Sequence, residues 1–194
     1  MSRTADEKRP EVLRDAMVEY LIAHGLTDLS LRPLAKAVGS SPRVLLYYFG
    51  SKEGLIIQVL ADLRQRQRAS YGQVGGSLTA ACRIIWKRMR APGSEPLFRL
   101  FFEAYGLALR HPRLYKSFLQ ATIDDWLELI AGSLHEESYE PAEARALATV
   151  VLAGLRGFML DYCTTHDRKR LDAAVELWLR GLDSLMSNDN EVRT

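Results

Sequence analysis

Apolar residues in the first part of the chain recur at helical spacing. Leu13, Ala16, Met17, Tyr20 and Leu21 fall at i, i+3, i+4, i+7 and i+8, the stripe of one helix that stops at His24-Gly25. A second, two-turn helix follows, with Ser30 as N-cap and Leu34, Ala35 and Val38 on its inner side before Gly39. Ser41 caps a third, whose first residue is Pro42, a position where the missing N–H is harmless. This helix runs to about Tyr48. Gly50 breaks the chain, and Ser51 opens a fourth helix with Leu55, Ile56, Val59, Leu60 and Leu63 as its stripe and Arg64, Arg66 and Arg68 toward its end. After Gly72, Gly75 and Gly76 the pattern restarts as Leu78, Ala81, Cys82, Ile85, Trp86 and Met89. Helical patterns then cover Glu95–Arg110, Pro112–Leu134, Pro141–Thr165 and Arg168–Ser187. No segment has the two-residue period of a strand. The expected fold is all-α, with about nine helices in all. A first unit at 1–68 holds a helix-turn-helix at about 30–49; a linker at 69–76 leads to a helical bundle at 77–194.

Composition narrows the class. Of 194 residues, 47% are hydrophobic and 26% charged, enough apolar material for a core. The longest uncharged run in the apolar second half, Ala146 to Leu155, is cut by Arg156, far short of the ~20 apolar residues of a membrane span, so no membrane role is expected. Charges of both signs in Met1–Asp15 do not make a secretory leader, and a cytoplasmic location is expected. Cys82 and Cys163 lie within apolar helical patterns, without CxxC or Cys/His spacing, and read as small buried hydrophobes. Neither metal nor cofactor is expected. Residues 1–68 hold eleven Lys/Arg against eight Asp/Glu, an excess too small to identify nucleic-acid binding without position.

Position supplies the argument. Ser30–Ala37, the turn Val38-Gly39-Ser40 and Ser41–Tyr48 have the spacing of a helix-turn-helix, whose second helix enters the major groove. Ser41, Pro42, Arg43, Val44 and Tyr47 fall on the N-terminal and outer side of that helix. The run LRPLAKAVGSSPRVLLYYFGSKEGL, from Leu31 to Leu55, resembles the signature of the TetR family of bacterial transcription regulators, most of all in Tyr47-Tyr48-Phe49-Gly50-Ser51-Lys52-Glu53. The resemblance covers residues 10–60. It implies a phosphate contact at Lys52, backbone or base-edge contacts at Tyr47 and Tyr48, and base contacts at Arg32, Pro42, Arg43, Val44 and Leu46, with Ser30 and Ser41 at the openings of the two helices. Chemistry agrees, since Lys52 adds a full charge to the free N–H groups of a helix start, and Arg43 offers a fork to a guanine edge. Leu46, Tyr48 and Arg43 replace the family's common tyrosine, histidine and small residue, which bears on the operator sequence. Gly54 replaces its usual glutamate, so no reciprocal capping box forms and a weaker helix start is expected.

The second half is rich in rings. Leu97, Phe98, Phe101, Phe102, Tyr105 and Leu109 form a wide apolar face, and Glu103, on a face with Arg99 and Arg110, is expected to make a surface ion pair. Aromatic stripes usually fill cores. The family resemblance implies instead a small-molecule effector pocket, with Trp86, Phe102, Tyr105, Phe118, Trp126, Phe158 and Tyr162 as walls and Thr122, Tyr105 and Tyr162 as polar handles. It also implies a homodimer through the last two helices. For that, Gly154, Gly157, Ala173 and Gly181 would allow close approach, and Leu171, Val175, Trp178, Leu182 and Leu185 would give the final helix a second apolar face. The expected partners are therefore double-stranded DNA, an apolar or aromatic effector and a second copy. No enzyme motif is present: there is no GxSxG, Walker loop or HExxH, and Asp124 and Asp125 point about 100° apart on a helix. A helical carrier or enzyme using the cavity, and a DNA-binding dimer without an effector, are the alternatives.

Overall fold

A computed structural model describes residues 9–71, 76–136 and 139–193. Residues 72–75, at the centre of the expected linker, lie outside the described residues. Nine helices and no strand occur among those described: α1 Arg9–His24, α2 Leu31–Ala37, α3 Pro42–Phe49, α4 Lys52–Tyr71, α5 Leu78–Met89, α6 Glu95–Arg110, α7 Pro112–Glu136, α8 Pro141–Thr165 and α9 Arg168–Arg193. The last helix runs beyond the expected end at Ser187 and α7 slightly beyond Leu134, because nothing in Asn188–Arg193 or His135-Glu136 breaks a helix.

The chain divides into two compact units. One combines residues 1–70 with 99–123, the other 71–98 with 124–194. In the first, α1 buries Leu13, Met17 and Leu21, α2 buries Leu34 and Ala35, α3 buries Leu45 and Phe49, and α4 buries Leu55, Ile56, Val59, Leu60 and Leu63. Salt bridges Arg14–Asp62, at 3.5 Å, and Arg66–Asp15 tie α1 to α4.

In the second unit α5, α8 and α9 pack together. Ala144, Ala148, Val151, Leu152, Leu155 and Met159 form the inner face of α8, against Leu171, Val175, Leu179 and Leu182 of α9. By length and apolarity alone α8 could cross a bilayer, but this buried face is that of a core helix. Two expectations change here. Leu171, Val175 and Leu182 belong to the chain's own core, and the ring of Trp178 covers Gly154, where a Cβ would stand 2.6 Å from the indole. Gly154 thus permits close packing of α8 on α9 within one chain. The apolar positions left exposed are another set: Val150, Ala153, Gly157 and Leu160 along α8, and Ala173, Leu177, Gly181 and Leu185 along α9. Both sets follow helical spacing, so each is a continuous stripe.

Candidate nucleic-acid interface

The helix-turn-helix is built by local chemistry. At the end of α2 the N–H groups of Val38, Gly39 and Ser40 return to the carbonyls of Leu34, Lys36 and Ala35, with Gly39 in the left-handed region at φ 66°. Ser41 is extended, and its Oγ accepts the Val44 N–H at 3.3 Å, which with Pro42 at the first position starts α3. Ser30 occupies the N-cap position of α2 but makes no side-chain cap bond, contrary to its expected role. It is exposed and free to meet a ligand oxygen.

Burial then sorts the two faces of α3. Leu45 and Phe49 are buried, while Arg43 is exposed, Leu46 is 40% exposed and Tyr47 82% exposed. Such exposure of a large ring is unusual for a core aromatic and suits a groove contact. Tyr48 is half-buried and meets Tyr47 edge to face at 5.3 Å. Pro42 and Val44 are half-buried beside them, and Arg32 and Ser41 are exposed.

Gly50, at φ 74°, ends α3, and α4 leaves at a 70° bend. Its start is capped: Ser51 Oγ accepts the Gly54 N–H at 2.9 Å. This is the half of a capping box that needs no glutamate, and the Ser51 N–H that a glutamate would take donates instead to the Phe49 carbonyl at 2.8 Å. Gly54 has a further reason to be glycine, because a Cβ there would stand 2.5 Å from the Phe49 carbonyl oxygen. Lys52 lies in the first turn of α4 and is half-buried. From Ser30 to Lys52 the chain carries Arg32, Lys36, Arg43 and Lys52 and no carboxylate. None of the four forms an ion pair among the described residues. Unpaired cations on a helix-turn-helix are an electrostatic footprint for phosphates. Lys36, exposed on α2, was not among the expected contacts; the absence of acids in this stretch is the signal that points to it.

Residues 99–123 return to this unit. Glu103 does not pair with Arg99 or Arg110 among the described residues. Its Oε2 instead accepts the N–H of Leu26 and, at 3.1 Å, that of Thr27, in the turn between α1 and α2. An i, i+4 argument sees only one helix, whereas these partners lie more than seventy residues away in sequence. Tyr115 is buried; burial pushes its phenol up, and the charge of Glu53, beside Lys52, adds to the shift.

The expected effector residues divide between the units. Phe102 and Tyr105 (half-buried), Phe118 and Thr122 (buried) belong to the first, where Phe101 meets Phe102 edge to face at 6.2 Å and Tyr105 at a tilt at 4.9 Å. The Thr122 hydroxyl donates to the Phe118 carbonyl at 2.8 Å, so its proton is already committed to its own helix. Trp86, Trp126, Phe158 and Tyr162 belong to the second. There Trp86 meets Phe158 and Tyr162 edge to face at 6.2 and 6.1 Å, and Phe158 meets Trp178 at 5.5 Å. Trp86 Nε1 donates to Asp172 Oδ1 at 2.8 Å, leaving the ring a purely apolar wall. Trp178, read from the sequence as a dimer residue, is thus a member of this ring cluster.

Residues 13–59 match the family model of bacterial regulatory proteins of the tetR family. No curated protein matches the chain. Among solved structures, a transcriptional regulator from Rhodococcus sp. Rha1 has a TM-score of 0.72 at 20% identity, covering 88% of this chain and 93% of its own. A protein described as a TetR-family transcriptional regulator from Rhodococcus sp. gives 0.70 at 21%, covering 91% and 99%. A TetR transcriptional regulator from Legionella pneumophila gives 0.69 at 16%, covering 94% and 98%. At these identities the likeness shows the fold, and the family match covers residues 13–59, the stretch that holds the helix-turn-helix. The family model and these three structures are all described as regulators.

Proposed function

We propose that the chain is a transcriptional regulator of the tetR family, a dimeric repressor acting in the cytoplasm, which binds a palindromic operator and is released by a small apolar or aromatic effector. The observation that carries the DNA reading is the acid-free stretch Ser30–Lys52, with four cations that form no ion pair among the described residues and the exposed ring of Tyr47 on one helix-turn-helix. Arg43, Leu46 and Tyr47 with Pro42 and Val44 would meet base edges, and Lys52, Lys36 and Arg32 the backbone, with Ser30, Ser41 and Tyr48 beside them.

The exposed stripes of α8 and α9 support the dimer. Leu160, Leu177 and Leu185 are 47%, 64% and 57% exposed, and Gly157 and Gly181 have open space beside them. Two neighbouring apolar stripes with small residues between the leucines fit a second copy in two-fold symmetry. The ring clusters support the effector, each within its own unit: Phe102, Tyr105, Phe118 and Thr122 as contacts in the first, or Trp86, Trp126, Phe158 and Tyr162 as contacts in the second.

Selection of duplexes from a random pool by the full chain tests this reading. An enriched sequence with two-fold symmetry is expected, together with a dimer in sedimentation equilibrium. A stable monomer that enriches nothing refutes it. Thermal melts against a panel of lipophilic and aromatic compounds test the effector: a binder raises the melting temperature of the wild type, and Trp126→Ala or Phe102→Ala reduces that rise while leaving effector-free duplex affinity intact.

A further inference from the structure

We propose that Glu103 is a positioning residue for DNA binding: its carboxylate pins the turn between α1 and α2 to α6 and so holds the helix-turn-helix in its binding orientation. This rests on the DNA-binding role given above.

The turn needs an external constraint. Between the end of α1 and the start of α2 the chain passes through two left-handed residues, Gly25 at φ 75° and Asp28 at φ 59°. A left-handed non-glycine residue persists only where its surroundings over-determine it. Inside the turn the bond from Leu29 N–H to the Leu26 carbonyl, 3.2 Å, leaves the N–H groups of Leu26 and Thr27 unused. Glu103 Oε2 takes both. Bonds from neutral N–H groups to an ionised carboxylate are about twice as strong as neutral ones.

The fit is close on the other side as well. A Cβ at residue 25 would stand 2.7 Å from both Glu103 oxygens and would push the carboxylate off its bonds, while φ by itself favours glycine there. Leu26 and Leu29 are buried, which fixes the base of the turn. From Leu29 the chain enters α2 two residues later, and α2 packs on α3. A displacement of the turn therefore moves the two helices that would face DNA. Glu103 lies between Phe102 and Tyr105 on α6, so a ligand touching those rings acts on the helix that carries the pin.

Electrostatics alone makes the opposite prediction. Removing a negative charge from a DNA-binding unit should strengthen its affinity for phosphates. Loss of positioning lowers it, because only the fraction of molecules in the competent orientation binds. The full chain, Glu103→Gln and Glu103→Ala are titrated against a duplex enriched from a random pool by the wild type, and amide hydrogen exchange is followed without DNA. Glu103→Ala is expected to weaken duplex binding by about tenfold, with the salt slope unchanged because no phosphate contact is lost. Glu103→Gln, which keeps one acceptor oxygen, is expected to fall between. Exchange should quicken at Leu26 and Thr27 and also through residues 31–49, while Met17–Leu21 in α1 stay protected.

Binding as tight as wild type, or tighter, in both variants overturns the proposal. If Glu103→Ala does not fold, the isosteric Gln variant decides alone by the same two measurements. If the wild type enriches no duplex, the DNA-binding reading falls, and exchange still judges the pin. Acceleration confined to residues 26 and 27 makes Glu103 a local cap and refutes it; acceleration through 31–49 upholds it.

Discussion

Replacing Asp172 by alanine removes one carboxylate from three partners at once. Oδ1 accepts the indole N–H of Trp86 at 2.8 Å and pairs with Arg90 Nε at 3.0 Å, while Oδ2 lies 3.6 Å from Arg168 Nε. Trp86 is only 4% exposed, so in the variant its N–H is left buried without an acceptor, at a cost of about 1–3 kcal/mol. The Arg90 side chain is 16% exposed and Asp172 36%, so solvent screens part of their attraction, and its loss adds about 1 kcal/mol, between the surface and buried limits. The Arg168 pair, 63% exposed at the arginine, adds little. The sum is about 2–4 kcal/mol, which for a chain of this size lowers the melting temperature by roughly 5–15 °C. Thermal unfolding followed by circular dichroism measures it. Asp172→Asn keeps an oxygen for the indole and loses the charge, so about 1 kcal/mol is expected. If the alanine and asparagine variants melt together, the indole bond contributes nothing and the argument for a fixed Trp86 wall fails.

Lys52→Ala should weaken binding to all duplexes and lower the salt slope by about 0.9 per phosphate in each subunit, whereas Arg43→Ala should relax base choice at one position per half-site, at about 1–3 kcal/mol; anisotropy titrations on enriched and random duplexes separate them, and equal losses on both would remove Arg43 from the base contacts. Gly54→Ala forces a Cβ against the Phe49 carbonyl, 2.5 Å away, and should shift the start of α4, lowering duplex affinity while the bundle's melting changes little; unchanged affinity would mean that the α3–α4 bend adapts freely. Burial pushes the Cys82 thiol from 9.0 up to about 12 against the opposing charge of Arg83. The unfolded chain therefore sheds a proton between pH 9 and 12 that the folded chain keeps, so Cys82 contributes stability that falls as pH rises through that window. Denaturant midpoints of wild type and Cys82→Ala should converge over that range, and at pH 8 a thiol reagent should label Cys163 before Cys82.

Helix content was fully legible in the sequence because each helix buries a stripe at 3.6-residue spacing and ends at a residue with a local reason to end it, as Gly25, Gly39 and Gly50 do. The helix-turn-helix was legible for the same reason: Ser41, Pro42 and Gly50 act on their immediate neighbours, and the acid-free stretch from Ser30 to Lys52 needs no partner to be seen. Tertiary structure decided the rest. Leu171, Val175 and Leu182 look from sequence as available for a partner as Leu177 and Leu185 do, since hydrophobicity does not say which of two apolar faces the chain itself covers. Burial of the first set leaves Ala173, Leu177, Gly181 and Leu185 outside. Gly154 could equally have faced a second copy until Trp178 of the same chain covered it. Glu103 shows the limit most plainly. Its neighbours at i−4 and i+7, Arg99 and Arg110, are basic, so the local rule favours an ion pair, but two backbone N–H groups more than seventy residues earlier hold it. A carboxylate binds the donors that folding brings to it, and only the path of residues 99–123 back to the first unit puts these within reach.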